Sequence, residues 1–427
     1  MKKIEQLYHN FLNSSGVTTD TREDVHNKIF FALSGENFNG NRFAEQAVQK
    51  GALLAVVDNP KVAENDQYFL VDNVLETLQQ LALFHRKQFS IPVIGITGTN
   101  GKTTTKELIT SVLSSKYNTV ATQGNLNNHI GVPLTLLRLT KETEIAIVEM
   151  GANHKHEIAF LANITLPTHG LITNVGKAHL EGFGDFEGVV KTKNELFEFI
   201  KSNKGTLFVN ADDPLLMNLS KEINRFTYGN NKADVSGMLT GHLPFIVADI
   251  NTEDAAFTIS SKLYGSYNLP NILAAVAAGT YFSVPAAKIK EAIENYEPKN
   301  NRSQQIKTAN NTIILDAYNA NPVSLSVAIK SFRDAGFANP LLIIGDMFEL
   351  GKTAPEEHQK IVNLLVKSGF DDVILAGKTF FETNHSFKAF VTTSEVIEYV
   401  KQNRIENRTI LIKGSNGMHL NSLIKYL

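Results

Sequence analysis

Two rhythms of apolar residues alternate along this chain. One is a short unbroken run rich in Val, Ile and Leu, as at 93–97, 145–149, 171–174 and 206–210, the mark of a strand buried on both faces. The other spaces apolar side chains three and four apart, as at 75–88 and 186–201, the period of a helix with one buried face. The same alternation opens the chain, with strands at 28–33 and 52–57 around a helix at 42–50. It also closes it, with strands at 311–316, 341–345, 373–376 and 409–412 between helical spans around 323–334, 356–368 and 395–402. Strand and helix in turn predict open sheets with helices on their faces. The expected fold is α/β in three domains: a small α/β domain over 1–89, a central domain with a parallel sheet over 90–297, and a Rossmann-like domain over 298–427. A length of 427 residues, too long for one core, agrees with that division.

Ligands of open parallel sheets sit beyond the carboxyl ends of the strands. That rule lines up the loop at Gly98 with Glu149, Asn174 and Asn210. The loop reads Thr97-Gly98-Thr99-Asn100-Gly101-Lys102-Thr103-Thr104, between a strand and a helix. Glycines there let backbone N–H groups converge on an anion, and the helix start adds partial positive charge. Lys102 is expected to reach terminal phosphates and the Thr103 hydroxyl to meet Mg²⁺. The match to a standard phosphate loop is partial, because Ile96 stands where its first Gly would be. The central domain is thus expected to be a P-loop-type ATPase domain. No Gly-x-Gly-x-x-Gly follows a strand of the third domain, so no dinucleotide site is expected there.

Charge narrows the picture. The net charge is −2, which argues against a broad nucleic-acid surface and requires local charge to hold any anion. With no cysteine, disulfides, thiolate nucleophiles and Cys-bound metals are excluded. No apolar run approaches a membrane span, and the basic N-terminus lacks the apolar stretch of a signal peptide, so a cytoplasmic protein is expected.

Several positions carry two readings each. Glu149 ends an apolar strand and suits Mg²⁺, or caps a following helix. His179, in a Gly-rich loop, is a metal ligand or a solvated loop residue. Lys193 lies in the stripe of Val189, Val190, Leu196, Phe197 and Ile200, whereas Lys191 falls on the charged side with Glu187 and Glu195. A lysine there snorkels to the stripe's edge or is buried as an amine of lowered pKa. Asn268 and Asn271 face a nucleobase edge or cap a helix. The turn 34–40 holds an anion on its N–H groups or is a surface loop.

Taken together, these stretches resemble the Mur ligases, ATP-dependent amide ligases of peptidoglycan precursor synthesis. The resemblance covers essentially the whole chain: the Gly98–Thr104 loop, the Glu149 strand, the run from Asn174 to His179, the Lys193 helix, Asn268 with Asn271, and Asn301-Arg302. Within the family, the runs 123–135, 316–322, 345–351 and 413–415 resemble the member that adds D-alanyl-D-alanine to UDP-MurNAc-tripeptide. The resemblance implies ATP bound by Gly98, Thr99, Asn100, Gly101, Lys102, Thr103 and Thr104. Asn268 and Asn271 would face adenine, Asp316 the ribose and Arg302 the phosphates. Mg²⁺ would be served by Thr103, Glu149, His179 and a carbamylated Lys193, with Lys102, Lys193, His179 and Glu149 as the catalytic group. Substrate contacts are implied at Thr21, Arg22, Ser34 and Gly35 for the UDP end, and at Asn125, Asn127, Asn128, Asn319, Asn321, Lys413 and Ser415. A monomer acting on small molecules, without nucleic acid or membrane insertion, is implied as well. Two positions depart from the pattern: Tyr267 stands where relatives often have His, and His129 where they often have an acidic residue. Three rivals are a folylpolyglutamate synthase-like ligase, the sister ligase that adds the third amino acid, and a module that only hydrolyses ATP. The first lacks a domain like 1–89.

Overall fold

The computed structural model describes residues 2–176, 180–230, 232–241, 244–299 and 301–427. Three main sheets follow one another along the chain. The first has four parallel strands in the order Val17–Thr18, Ile29–Phe31, Leu54–Val57, Tyr68–Leu70. Side chains alternate across its middle. Ile29 and Phe31 enter the large core with Leu7 and Leu78, and Phe30 enters a small one with Ala44 and Val57. The turn at 34–40 is more ordered than the sequence suggests: Ser34–Gly35 pairs antiparallel with Phe38–Asn39.

Among the described residues the central sheet has nine strands. At its heart Val93–Thr97 lies between His169–Ile172 and Ile145–Glu149, all parallel, and every residue of Val93–Thr97 is buried. Burial on both faces is why this strand reads as an unbroken apolar run. The expectation of a parallel sheet needs one correction. Phe245–Asn251 and Ala256–Tyr264 join antiparallel at the far edge. Their alternating polar and buried positions fit an edge with one wet face. The third sheet, six strands, is parallel except for Gln304–Lys307 at its edge.

Helices cover both faces of the central sheet. Lys102–Ser114 and Leu269–Tyr281 pack together on one side. On the other, a single core runs without a break from the first sheet through Leu78 and Leu81 to Leu136, Leu161 and Leu196. The first sheet is therefore fastened to the central one. Arg86, buried at the end of helix Val74–Arg86, adds a polar fastening: it donates to the carbonyls of Thr165 at 2.9 Å, Leu166 at 3.0 Å and Phe89 at 2.6 Å. Leu166 ends helix Glu157–Thr165 in the left-handed region, so its carbonyl has no helical partner of its own. Beside it His85 is neutral: Nε2–H donates to Leu139 O and Nδ1 accepts from Tyr8 OH, and burial pushes its pKa down.

Replacing Arg86 by Met keeps the aliphatic bulk and removes three charge-assisted bonds. The expected loss is about 3 kcal/mol, since buried acceptors left unpaired carry their full desolvation cost. Scanning calorimetry should show a thermal midpoint lower by several degrees; an unchanged midpoint would rule out this fastening.

Candidate functional site

The loop after Val93–Thr97 is laced to the end of its neighbour strand. Thr99 N–H donates to the Asn174 carbonyl at 2.9 Å and Asn100 N–H to Asn174 Oδ1 at 3.0 Å. The Asn100 carbonyl accepts from Asn174 Nδ2 at 3.0 Å and from Thr173 Oγ1 at 2.6 Å. So close an approach demands glycine at 98. A Cβ there would stand 2.0 Å from Thr173 Oγ1, on a backbone with φ +142°. Gly101, φ +80°, would likewise put a Cβ 2.7 Å from Asn271 Oδ1. Helix Lys102–Ser114 then begins. Its backbone ladder starts with Thr105 N–H to the Gly101 carbonyl, which leaves the N–H groups of Lys102, Thr103 and Thr104 ahead of it. Lys102 folds back over the loop, its ammonium on the carbonyls of Gly98 at 2.7 Å and Thr99 at 3.1 Å. Burial lowers its pKa to about 8; Glu149 acts against that shift and Arg302 adds to it.

Glu149 closes the neighbouring strand, 1% exposed. Its Oε1 accepts from Thr103 Oγ1 at 3.1 Å and Asn127 Nδ2 at 2.8 Å. Its Oε2 is buried with no hydrogen-bond partner among the described residues. It caps no helix; helix Glu157–Thr165 is met at its start by Glu195, which accepts from His156 N–H and Ala159 N–H. A bare carboxylate oxygen beside a hydroxyl suits a hard cation that takes its other ligands from phosphate and water. Among the described residues no cluster of three His, Asp or Glu exists to hold a metal without such help. His179 lies outside the described residues.

Lys193 sits on helix Phe186–Ser202, 3% exposed, with Nζ 5.5 Å from the centre of the Phe183 ring. The snorkelling reading therefore fails, since its head does not reach water. Its pKa is lowered to about 7, first by burial and then by the charge of Lys102, with Glu157 and Glu195 opposing. Lys191 is exposed and paired with Glu187 at 2.8 Å, as its place on the charged side predicts.

The phosphate loop and Glu149 open onto a cavity of about 560 Å³ between the central and third sheets, whose lining does not include Gly98 or Lys193. Of the residues singled out in the sequence, it brings together Thr99, Asn100, Gly101, Lys102, Thr103, Thr104, Asn127, Asn128, Glu149, Asn174, Asn268, Asn271, Arg302, Asp316, Asn319, Asn321 and Lys413. Both departures from the family pattern, Tyr267 and His129, line it too. Asn268 and Asn271 are largely spent on the protein. Asn271 Nδ2 donates to Asn268 Oδ1 at 2.7 Å, Asn271 Oδ1 accepts from Thr105, and Asn268 Nδ2 donates to the Tyr264 carbonyl. Asp316 is paired with buried Lys413 at 2.7 Å and accepts from Ser303 N–H at 3.3 Å. Arg302 lies 3.5 Å from the centre of the Tyr318 ring, between Asn301 and Ser303, both at positive φ. Two left-handed residues around one side chain mark a backbone held against its preference. Tyr267 OH meets Ser303 Oγ at 2.9 Å, and burial drives its pKa upward.

Other expected residues stand elsewhere. Thr21 is buried with its hydroxyl on Gln46, Arg22 is bidentate to Asp20, and Ser34 Oγ faces Asn39 at 3.4 Å across the short hairpin with Gly35. Asn210 steadies a local turn through Asp212 N–H. Asn125 is exposed, outside the cavity lining, and Ser415 is buried, accepting from Phe348 N–H. Thr173, which locks the loop, gives no signal in the sequence beyond its place before Asn174. The apolar wall of Phe160, Val323 and Val327 also went unread, because single apolar residues at helix starts resemble core positions.

Comparison with known proteins fits this geometry. The chain matches the family model for the Mur ligase middle domain over residues 96–279 and that for the Mur ligase glutamate ligase domain over 301–416. It is 35% identical to the UDP-N-acetylmuramoyl-tripeptide–D-alanyl-D-alanine ligase of Bacillus subtilis (strain 168), over 96% of this chain and 93% of that one. The crystal structure of MurF from Acinetobacter baumannii superposes with a TM-score of 0.88 at 29% identity, over 99% of this chain and 97% of the other. MurF ligase from Thermotoga maritima in complex with ADP gives 0.85 at 25% identity, with 97% of each chain covered.

Gly98→Ala should abolish nucleotide binding while leaving the circular dichroism spectrum unchanged, because the new methyl must displace Thr173 or open the loop. Titration with a fluorescent ATP analogue reads it out. Wild-type affinity in the variant would show that the loop does not hold phosphate.

Proposed function

The chain belongs to the Mur ligase family, and from that premise we propose that it joins D-alanyl-D-alanine to UDP-N-acetylmuramoyl-tripeptide at the expense of ATP. The observation that carries the reading is the phosphate loop set against the bare oxygen of Glu149, at the mouth of a cavity shared by two sheets. We assign residues 1–89 to the UDP end of the substrate, 90–297 to ATP and 298–427 to closing the site. A monomer working in the cytoplasm belongs to the same proposal; no helix among the described residues is long and apolar enough to cross a membrane.

The reaction has two steps. An oxygen of the tripeptide's terminal carboxylate attacks the γ-phosphorus of ATP; the bond from that phosphorus to the bridging oxygen breaks, and ADP leaves an acyl phosphate behind. The amine of the dipeptide then attacks the acyl carbon. The carbon–oxygen bond to phosphate breaks, inorganic phosphate departs with the electron pair, and the nitrogen releases a proton. Two anions must meet in the first step, so positioning and local positive charge dominate. Lys102 exchanges the carbonyls of Gly98 and Thr99 for the terminal phosphates, beside the N–H groups at the helix start. Arg302 approaches from the connection that leads into the third sheet. Thr103 and Glu149 would hold one Mg²⁺, and His179 and Lys193 would serve a second; the metal would supply charge neutralisation for the phosphates. Residues of the third sheet cover the acyl phosphate from water.

Lys193 reaches that role by carbamylation. The lone pair of a neutral Nζ attacks the carbon of CO₂, an N–C bond forms, and the nitrogen loses a proton, leaving an anionic carbamate. Burial supplies the neutral amine: with a pKa of about 7, roughly half of it is neutral at neutral pH. Below that the neutral fraction falls about tenfold per pH unit. Carbamylation should therefore be lost toward acid pH, because protonation removes the nucleophile.

The deciding assay is phosphate release with ATP, UDP-MurNAc-tripeptide and dipeptide. Strict dependence on both substrates is expected; release without the dipeptide would favour simple hydrolysis, and preference for a free diamino acid would favour the sister ligase. Lys193→Ala should lose activity about a hundredfold, with partial recovery in added acetate, while Lys191→Ala stays near wild type. Equal loss in both variants would refute the carbamate.

A further inference from the structure

Among the described residues a pair of carboxamides links the third domain's helix Pro322–Asp334 to the phosphate loop. Asn321 Nδ2 donates to Asn100 Oδ1 at 2.7 Å across 221 positions of sequence. Each residue is otherwise committed. Asn321 is 8% exposed and caps helix Pro322–Asp334: its Oδ1 accepts from Ser324 N–H at 2.9 Å, and its own N–H donates to Ser324 Oγ at 3.1 Å. Asn100 has its N–H and carbonyl tied to Asn174 and Thr173.

Capping alone does not require asparagine at 321, since Ser, Thr or Asp accept the same N–H about as well. What they lack is a donor on the same planar group, aimed away from the helix. An amide does both at once: its oxygen fixes the helix start and its nitrogen holds the loop. Val323, two residues on, lines the cavity near Gly176, itself bonded to Thr99 at 2.9 Å. The contact thus falls where the two sheets meet the phosphate cradle.

We infer that Asn321 is a positioning residue. Through Asn100 it sets the phosphate loop in its working geometry when the third sheet is in place, and so ties phosphoryl transfer to the seating of that sheet. This goes beyond the substrate assignment and rests only on its ATP half. Asn321 was expected to contact substrate; here its side chain is used twice over by the protein.

The test uses the full chain with Asn321→Ser, which keeps a capping oxygen but not the reach to Asn100, and Asn100→Ala, which leaves the loop's backbone bonds in place. Without nucleotide, amide exchange at Thr99 and Asn100 should quicken about tenfold in both variants, while helix Pro322–Asp334 exchanges as in wild type in Asn321→Ser. In the ligation assay kcat should fall about tenfold in each, with KM for ATP little changed, and the double variant should fall no further. Unchanged exchange at Thr99 and Asn100 in both variants, or losses that multiply in the double variant, would overturn the inference. Failure of the unmodified chain to use the dipeptide would speak against the substrate assignment alone, because the exchange comparison does not depend on it.

Discussion

A protein with almost no net charge has to gather positive charge locally before it can hold a polyphosphate, and burial makes that gathering costly. Here Lys193 is buried and Lys102 half-buried at the cavity wall, burial weakens the hold of each on its proton, and the charge of Lys102 weakens that of Lys193 further. A third, Lys413, is neutralised by Asp316 and adds little net charge. Among the described residues Glu149 offsets Lys102, and it keeps one oxygen bare. The arrangement is costly to the empty protein and complementary to anions together with a divalent cation. Such preorganisation is what a phosphoryl-transfer site needs, since charge aligned in advance costs nothing to reorganise during reaction.

The fold supplies the geometry. Parallel strands end on one side, so Val93–Thr97, Ile145–Glu149 and His169–Ile172 deliver the loop, the carboxylate and Thr173–Asn174 to the same edge. The third sheet brings Asp316 and Lys413 from the ends of two paired parallel strands. Arg302 comes from the connection between the sheets, where two left-handed residues hold the backbone. That strain is tolerated because Tyr267, Asp316 and Tyr318 each engage the segment.

Much of this was legible in the sequence, for reasons that can be named. Thr206–Asn210, Asn311–Asp316 and Val373–Ala376 were read to the residue, because strands buried on both faces have sharp compositional ends. Helical period placed Lys193 on the buried stripe, yet period alone could not say whether its head was in water. The antiparallel edge went unread, since the alternation in Phe245–Asn251 is masked at its start by apolar Phe245 and Val247 on the outer face. Arg22, implied at the UDP end by the resemblance, is paired with Asp20, two residues away, a contact the sequence reading did not foresee. The Asn100–Asn321 contact had no local signature at all, because nothing in a motif records which other motif it will meet.

Seen at the level of side-chain chemistry, the site divides its labour between charges and amides. Asn100, Asn127, Asn174, Asn271 and Asn321 all bond other groups of the site through their carboxamides. Substituting aspartate would put negative charge beside phosphates and lose a donor; lysine would pair with Glu149 and take the oxygen a cation needs. A carboxamide donates and accepts without charge, so its bonds neither compete for the metal nor change with pH across the working range. Burying it also costs far less than burying an ion once its bonds are made. The framework that sets distances is thereby kept electrically neutral, and the few buried charges are left to act on the anions they are there to bring together.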